Sequence, residues 1–310
     1  MSTRKTITVV CPVFNEEESI PIFYDRFTRA IEPYTDTYQF ELLFTNNRSV
    51  DSTLDVITGL QRDDPNVYVL TLSRNFGYQP SVLAGITHAG GDAIIVIDVD
   101  CEDPPEMIPD FIKGWESGHD IVYGIRSERS ESPAIQWFRK AFYRLMAFAA
   151  DYETILDMAE FSLFTRQVRD HLIDNTTTFP FIRTEIAYAG FSRLGIPYKR
   201  QPRVRGKTHY NLITMTAFAI GGILSSSTFL LRLAGYLSAV LFAVNVLLAA
   251  VALLAASTML FFLLFTLDLT YLVVFLGVAS VYIARIYKDH TGRPVYIVDW
   301  QHSTYPWRGE

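Results

Sequence analysis

The stretch AIIVIDVDCEDPPE, Ala93–Glu106, decides how this chain folds. A short, wholly apolar run rich in β-branched residues suits a strand buried on both faces. Directly after it stand Asp98, Asp100, Glu102, Asp103 and Glu106. Carboxylates this close repel one another, so the arrangement points to a cation at the end of the strand. Residues two apart on a strand point the same way, so Asp98 and Asp100 can face one ligand. Hard cations such as Mg²⁺ or Mn²⁺ take oxygen ligands, and Mg²⁺ commonly uses one or two carboxylates plus substrate phosphates. Pro104 and Pro105 end the strand. Asp103 reads as a turn residue, and Glu106 as a helix-start residue where negative charge is favoured.

Working outward, TITVVCPVF, FELLFTN, VYVLTLS and DIVYGI repeat the pattern, each followed by a turn and a helical segment. The first of these helices is expected to open near Glu16. Such alternation predicts an α/β domain with a mostly parallel, Rossmann-like sheet covered on both faces. Ligands of such sheets sit at the carboxyl ends of the strands, at a switch point. Asn15, Asn46, Asn75 and Asp98 all fall at such ends. Only two cysteines occur, Cys11 and Cys101, which makes a disulfide framework unexpected and suits a reducing compartment. A formal charge of -6 argues against nucleic acid as a partner. None of the six histidines has metal-ligand spacing with another, and Ser-His-Asp catalysis has no support.

The chain has 310 residues, and its apolar excess is concentrated near the C-terminus. No Asp, Glu, Lys or Arg occurs from Leu233 to Leu267, and after Asp268 the run continues to Ala284. A membrane span needs about 20 apolar residues, so two spans are expected, near 233–256 and 259–284, with the tip at Ser257 and Thr258. A buried soluble hairpin is the weaker alternative. Arg232 precedes the pair; Arg285, Lys288 and Arg293 follow it, and the tip carries neither Lys nor Arg. The positive-inside bias then places both flanks in the cytoplasm. The start, MSTRKTITVVCPVFNEEES, has no secretory-leader pattern. Asp268 reads as lying close to the hairpin end, with snorkelling or a shifted boundary preferred over a function. Before the spans, Arg193–His209 holds six Lys/Arg and no acid. It reads either as a juxtamembrane patch or as a loop closing over a phosphorylated ligand. The following YNLITMTAFAIGGILSSSTFLLR suits helices lying in the membrane interface. The expected organisation is a catalytic domain over 1–208, interfacial amphipathic helices over 209–232, two spans within 233–284 and a cytoplasmic tail over 285–310.

CPVFNEEESIPIFY, LSRNFGYQPSVLAGITHAGGDAIIVIDVDCEDPPEMIP, WESGHDIVYGIRSER and YIARIYKDHTGRPVYIV together resemble the polyprenyl-phosphate glycosyltransferases of glycosyltransferase family 2. The resemblance spans essentially the whole chain. It implies a GT-A fold and transfer of one sugar, with inversion, from a UDP- or GDP-linked donor to a polyisoprenyl phosphate at the cytoplasmic membrane face. It also implies Mg²⁺ or Mn²⁺ at Asp98 and Asp100, with Asp100 catalytic as well; Glu102, an added charge beside them, is taken as a third metal candidate. Pro12, Phe14, Asn15, Glu16, Asn46, Asn47, Asn75, Asp98 and Val99 match donor-binding positions. Arg126, Arg139, Arg203, Arg205 and Lys207 are the candidates for the acceptor phosphate. Members of the family are often tetrameric, and a flippase is a further implied partner.

The chain also departs from the family pattern. ILDMAEFSLFTR stands where an Asp-x-Gly-Asp-Phe-Arg motif is usual: Asp157 matches the first acid, Glu160 the second, and Ser162 replaces the Arg. Asp157 and Glu160 are taken as catalytic on that match. Asn46, Asn47 and Arg48 stand where Asp-Asp-Gly or Asn-Asp-Gly is usual, and an amide donates as well as accepts. Glu102 replaces a Gln, and GKTHYNL moves the basic residue of a Gly-x-Ser-Lys-Tyr pattern. These changes motivate an alternative function, a catalytically impaired lipid-phosphate-binding or flippase-associated scaffold of the same fold. A processive synthase is the weakest reading, because QWFRK lacks the Trp of its Gln-x-x-Arg-Trp motif.

Overall fold

The computed structural model describes residues 4–126, 158–174, 180–204, 227–255 and 257–305. Seven strands form one sheet in the order β3-β2-β1-β4-β6-β5-β7. They are β1 (Lys5–Val13), β2 (Tyr38–Asn46), β3 (Val67–Thr71), β4 (Ala93–Val96), β5 (Ile121–Arg126), β6 (Met158–Thr165) and β7 (Arg193–Tyr198). β1 pairs in parallel with both β2 and β4, and β5 in parallel with β7; β6 alone runs antiparallel to its neighbours. The expected mostly parallel α/β sheet is therefore present. Its order reverses direction at β1, so the crevice between the carboxyl ends of β1 and β4 is the switch point where ligands bind.

The strands are continuously apolar because both faces are covered. Ile7, Val9, Cys11 and Val13 of β1 point into one core with Ile20, Phe23 and Phe27 of α1 (Ser19–Ile31). Val10 points into the other core with Val82 and Ile86 of α3 (Tyr78–His88). The α3 helix lies so close to the sheet that a Cβ on Gly85 would overlap the Val10 side chain. The α1 helix opens at Ser19 rather than near Glu16, because Glu16 accepts backbone bonds from Ser19 and Ile20 in a turn first. Three short helices complete the covering: α2 (Thr53–Asp63), α4 (Ile108–Glu116) and α5 (Arg166–Asp174). A further one, α6 (Ile182–Tyr188), packs against β6.

The last two helices are α7 (Phe229–Leu254) and α8 (Thr258–His290), both long and apolar enough to cross a membrane. At 1.5 Å per residue they reach about 39 Å and about 50 Å, beyond the ~30 Å hydrocarbon core. Their apolar side chains point outward: Phe242, Leu253, Leu254, Met259 and Phe262 are each more than 70% exposed. A soluble core hairpin would bury these residues, so that alternative fails. The first helix starts earlier than expected, taking in Phe229–Arg232, and the second runs on to His290. Residues 205–226, which hold most of the expected interfacial segment, lie outside the described residues.

Asp268 corrects the sequence reading. It sits about 15 Å along α8 from Thr258, well inside the helix rather than at its start. Its Oδ1 accepts from Asn245 Nδ2 of α7 at 2.6 Å, so a neighbouring amide, not snorkelling, accommodates it.

Beyond α8 the chain returns to the sheet. Val298 bridges antiparallel to Leu72, and Asp299 N and Thr304 N each bond backbone carbonyls of β3 at 2.8 Å. Tyr305 is buried against Tyr68, and its hydroxyl donates to buried Glu41 at 3.1 Å. The segment expected as a plain tail is a strap along the sheet edge.

Candidate active site

Four loops converge at the carboxyl edge of β1–β4. After β1, Asn15 adopts a left-handed backbone (φ 57°), and its side chain accepts from Val50 N at 2.9 Å. After β2, Asn46 accepts from Ser49 N at 2.9 Å. Asn47 is buried and fully used: it donates to Asn75 Oδ1 and Gly77 O, each at 3.0 Å, and accepts from Phe76 N at 2.9 Å. Asn75 also accepts from Gly77 N, which shapes the entry to α3. Asn47 is therefore a brace between two loops, and a carboxylate there could not make its two donations. Pro12 and Val99 are buried; Phe14 and Glu16 are half-buried.

On the β4 side the cluster is built by charge. Asp98 Oδ1 accepts from Tyr78 OH at 2.8 Å. Burial, with Asp100 and Asp103 nearby, pushes the Asp98 carboxyl well above the usual carboxylate range. Asp100 accepts from Glu102 N at 3.0 Å, and its Oδ2 lies 3.7 Å from Arg203 Nη1. Arg203 also pairs with Glu16, and Arg200 pairs with Glu102. The loop after β7 is pinned to the cluster through its backbone too: Val204 N bonds Asp100 O, and Gln201 N bonds Glu102 O. Burial and Asp100 raise the Glu102 carboxyl, with Arg200 and Arg203 pulling the other way.

Asp103 is not a surface turn residue. It is buried, accepting from Tyr198 OH and paired with Arg126 at 3.2 Å. Arg126, expected at an acceptor phosphate, has Asp103 and Tyr198 as its partners. Glu106 does have the structural role expected of it, through a contact the sequence did not show. Arg26 clamps it with two bonds of 2.7 and 2.6 Å, tying α1 to the turn that precedes α4.

Glu160, on β6, is buried and accepts from Arg183 Nε at 2.7 Å and Gln79 Nε2 at 3.1 Å. Adjacent residues at the start of α3, Tyr78 and Gln79, thus bond Asp98 and Glu160 respectively. Ser162 carries no guanidinium, and the arginine that meets Glu160 comes from α6 as Arg183. Tyr78, Gln79, Asp103, Arg183, Tyr198 and Arg200 are site residues that the sequence reading missed; the missing arginine of the motif was the one available signal. Asp157, Arg139, Arg205 and Lys207 lie outside the described residues.

A model of the Glycosyl transferase family 2 domain matches residues 8–190. The chain belongs to glycosyltransferase family 2. This glycosyltransferase is 34% identical to the SfII prophage-derived bactoprenol glucosyl transferase of Shigella flexneri, covering 97% of this chain and 99% of that one. It is 29% identical to the undecaprenyl-phosphate 4-deoxy-4-formamido-L-arabinose transferase of Serratia proteamaculans, over 95% and 93% of the two chains. Among solved structures, it resembles glucosyl-3-phosphoglycerate synthase from Mycobacterium tuberculosis, determined with Mn²⁺, UDP and phosphoglyceric acid. There the TM-score is 0.51 at 18% identity, covering 71% of this chain and 78% of that one. That likeness supports the GT-A fold of the glycosyltransferase.

For a divalent cation, the donor set has the right chemistry: hard carboxylate oxygens of Asp98 and Asp100 at a buried strand end. No three His, Cys, Asp or Glu side chains among the described residues form a ready-made cage. Glu102, expected as a third ligand, is turned to Arg200 instead. The two aspartates fit a cation that brings further oxygen ligands with its substrate.

Proposed function

We propose that the protein transfers a single sugar from a nucleoside-diphosphate sugar to a polyisoprenyl phosphate at the cytoplasmic face of a membrane. The observation that carries this reading is one arrangement. The acidic end of β4 faces an arginine-bearing loop, and the same chain continues into an apolar helical hairpin. The relatives that act on bactoprenol and undecaprenyl phosphate support it.

Asp98 and Asp100 would hold Mg²⁺ or Mn²⁺, and the cation would supply positive charge against a departing diphosphate. Arg203, already beside Asp100, is placed to meet the same diphosphate. The amide-laced loops at Asn15, Asn46 and Asn75 receive the nucleoside. The acceptor phosphate is anionic near neutral pH, so orientation matters more than a strong base. Glu160, fixed between Arg183 and Gln79, and Arg126 line the approach to the reacting centre. Arg139, Arg205 and Lys207 are assigned to the acceptor phosphate, and Asp157 to catalysis, by resemblance alone. Inversion, a homotetramer and a flippase partner rest on the same resemblance.

Topology supports the membrane placement. The strap after α8 packs on the domain that precedes α7, so both ends of the hairpin lie on one side. Arg232, Arg285, Lys288 and Arg293 mark that side as cytoplasmic. The test is calorimetric titration of the full-length protein with UDP- and GDP-sugars, with and without Mn²⁺. Metal-dependent binding of one donor is expected; no donor binding would favour the impaired scaffold.

A further inference from the structure

The strap that returns from the second apolar helix touches two of the loops that frame the donor side. Arg48 follows Asn47, and its Nη1 pairs with Asp299 Oδ2 of the strap at 2.9 Å. Asp299 is itself oriented: it accepts from Gln301 N at 3.2 Å and contacts His302 Nδ1 at 2.8 Å. Arg48 has a left-handed backbone (φ 62°), a region that a long L side chain seldom adopts. From Arg48 the bonding continues inward. Ser49 N donates to Asn46 Oδ1 at 2.9 Å, Ser49 Oγ accepts from Asn15 N at 3.0 Å, and Val50 N donates to Asn15 Oδ1 at 2.9 Å. The loop carrying Arg48 is thus stitched to both asparagines at the ends of β1 and β2.

A second contact is independent of the first. Ser73 N donates to Ile297 O at 2.9 Å, alongside the Leu72–Val298 bridge. These residues lead straight into Arg74 and Asn75, and Asn75 accepts from Asn47. The strap therefore holds the loops after β2 and β3 at the same time.

We propose that the C-terminal strap forms a wall of the nucleotide-sugar site, with Asp299 as a positioning residue that acts through Arg48 on the loop at 46–50. The inference rests on the reading of this edge as the donor site. It places the end of the second apolar helix in register with the nucleoside, so the membrane anchor and donor recognition share one structural element. Asp299 touches no reacting atom; its effect is on how well the loop is pre-set for the donor.

The test is a charge swap in the full-length enzyme. Arg48→Glu and Asp299→Lys are each expected to raise the nucleotide-sugar KM about 3- to 10-fold, with kcat within about twofold of wild type. The Arg48→Glu/Asp299→Lys double variant is expected to restore KM to within about twofold. Arg48→Gln, which removes the charge without repulsion, should give a smaller rise and serves if the reversals fold poorly. Tyr305→Phe, which loosens the strap away from the donor loops, should lower the Tm and leave KM unchanged. Unchanged donor KM in every single variant, or a double variant no better than the singles, overturns the inference while the enzyme's activity stands. A wild-type protein that binds no nucleotide sugar overturns the functional reading, and this inference with it.

Discussion

On the β1–β3 side of the carboxyl edge, neutral amides stitch the loops to one another: Asn15, Asn46, Asn47 and Asn75 bond backbone groups or each other, and the ion pair Arg48–Asp299 only ties them outward to the strap. On the β4 side, ions hold them: Arg200, Arg203 and Arg126 stand against Glu102, Asp100 and Asp103, and Arg203 also reaches across to Glu16 after β1. Both halves belong to one sheet edge, yet they are prepared for different partners. An amide lattice keeps its shape whether or not a nucleoside is present. A set of arginine–carboxylate pairs can exchange one cation for another, so it suits a site where a metal and a diphosphate arrive together.

The largest expected effect lies on the ionic side. Asp100→Asn should lower turnover on the order of 10²–10³-fold while leaving the fold intact, as measured by initial rates and circular dichroism. An equal rate in the variant would remove Asp100 from the chemistry.

A paired experiment breaks the comparison directly by restoring the family's usual residue on each side. Asn47→Asp puts a carboxylate against Asn75 Oδ1 and Gly77 O, two acceptors it cannot serve. A buried mismatch of this kind is expected to cost about 1–3 kcal/mol, seen as a lower Tm. Glu102→Gln removes only a partly exposed partner of Arg200, so a change under about 1 kcal/mol is expected. If Glu102→Gln proves the more damaging of the two, the division into an amide side and an ionic side is wrong.

Both positions, Asn47 and Glu102, depart from the family pattern. The structure gives each its own local partners, Asn75 and Gly77 for one and Arg200 for the other. That distinction was not legible because both partners come from loops remote in sequence. What the sequence did show follows from short-range physics. Apolar runs flanked by turns gave the strands, an uncharged stretch gave the paired helices, and an acidic cluster after a buried run marked the site. What it hid depends on packing. Asp103 looked like a turn residue because nothing local tells of Tyr198 and Arg126 closing over it. Arg183 reaches Glu160 from another element. The strap was hidden because its pairing with β3 spans most of the chain.

The smallest expected effect concerns the outer ion pair. Arg26 holds the Glu106 carboxyl below its usual value. A depressed carboxylate contributes stability above its unfolded pKa, and that contribution is lost as pH falls through the folded pKa. Because Glu106 is half exposed, solvent screening limits the contribution to a few tenths of a kcal/mol, about the range of surface pairs. Wild type should melt slightly higher than Glu106→Gln at neutral pH, and the two should converge as the pH falls below the usual carboxylate range. A gap that widens on acidification would mean the pair is not the source.

The most direct test of the central claim is transfer itself. Full-length protein in detergent or liposomes is incubated with Mn²⁺ or Mg²⁺, labelled UDP- and GDP-sugars and undecaprenyl phosphate, and the lipid fraction is analysed. The account predicts one sugar per lipid phosphate, dependent on the metal and slowed on the order of 10²–10³-fold by Asp100→Asn. Label that never enters the lipid, or that enters at the same rate without a divalent cation, would contradict it.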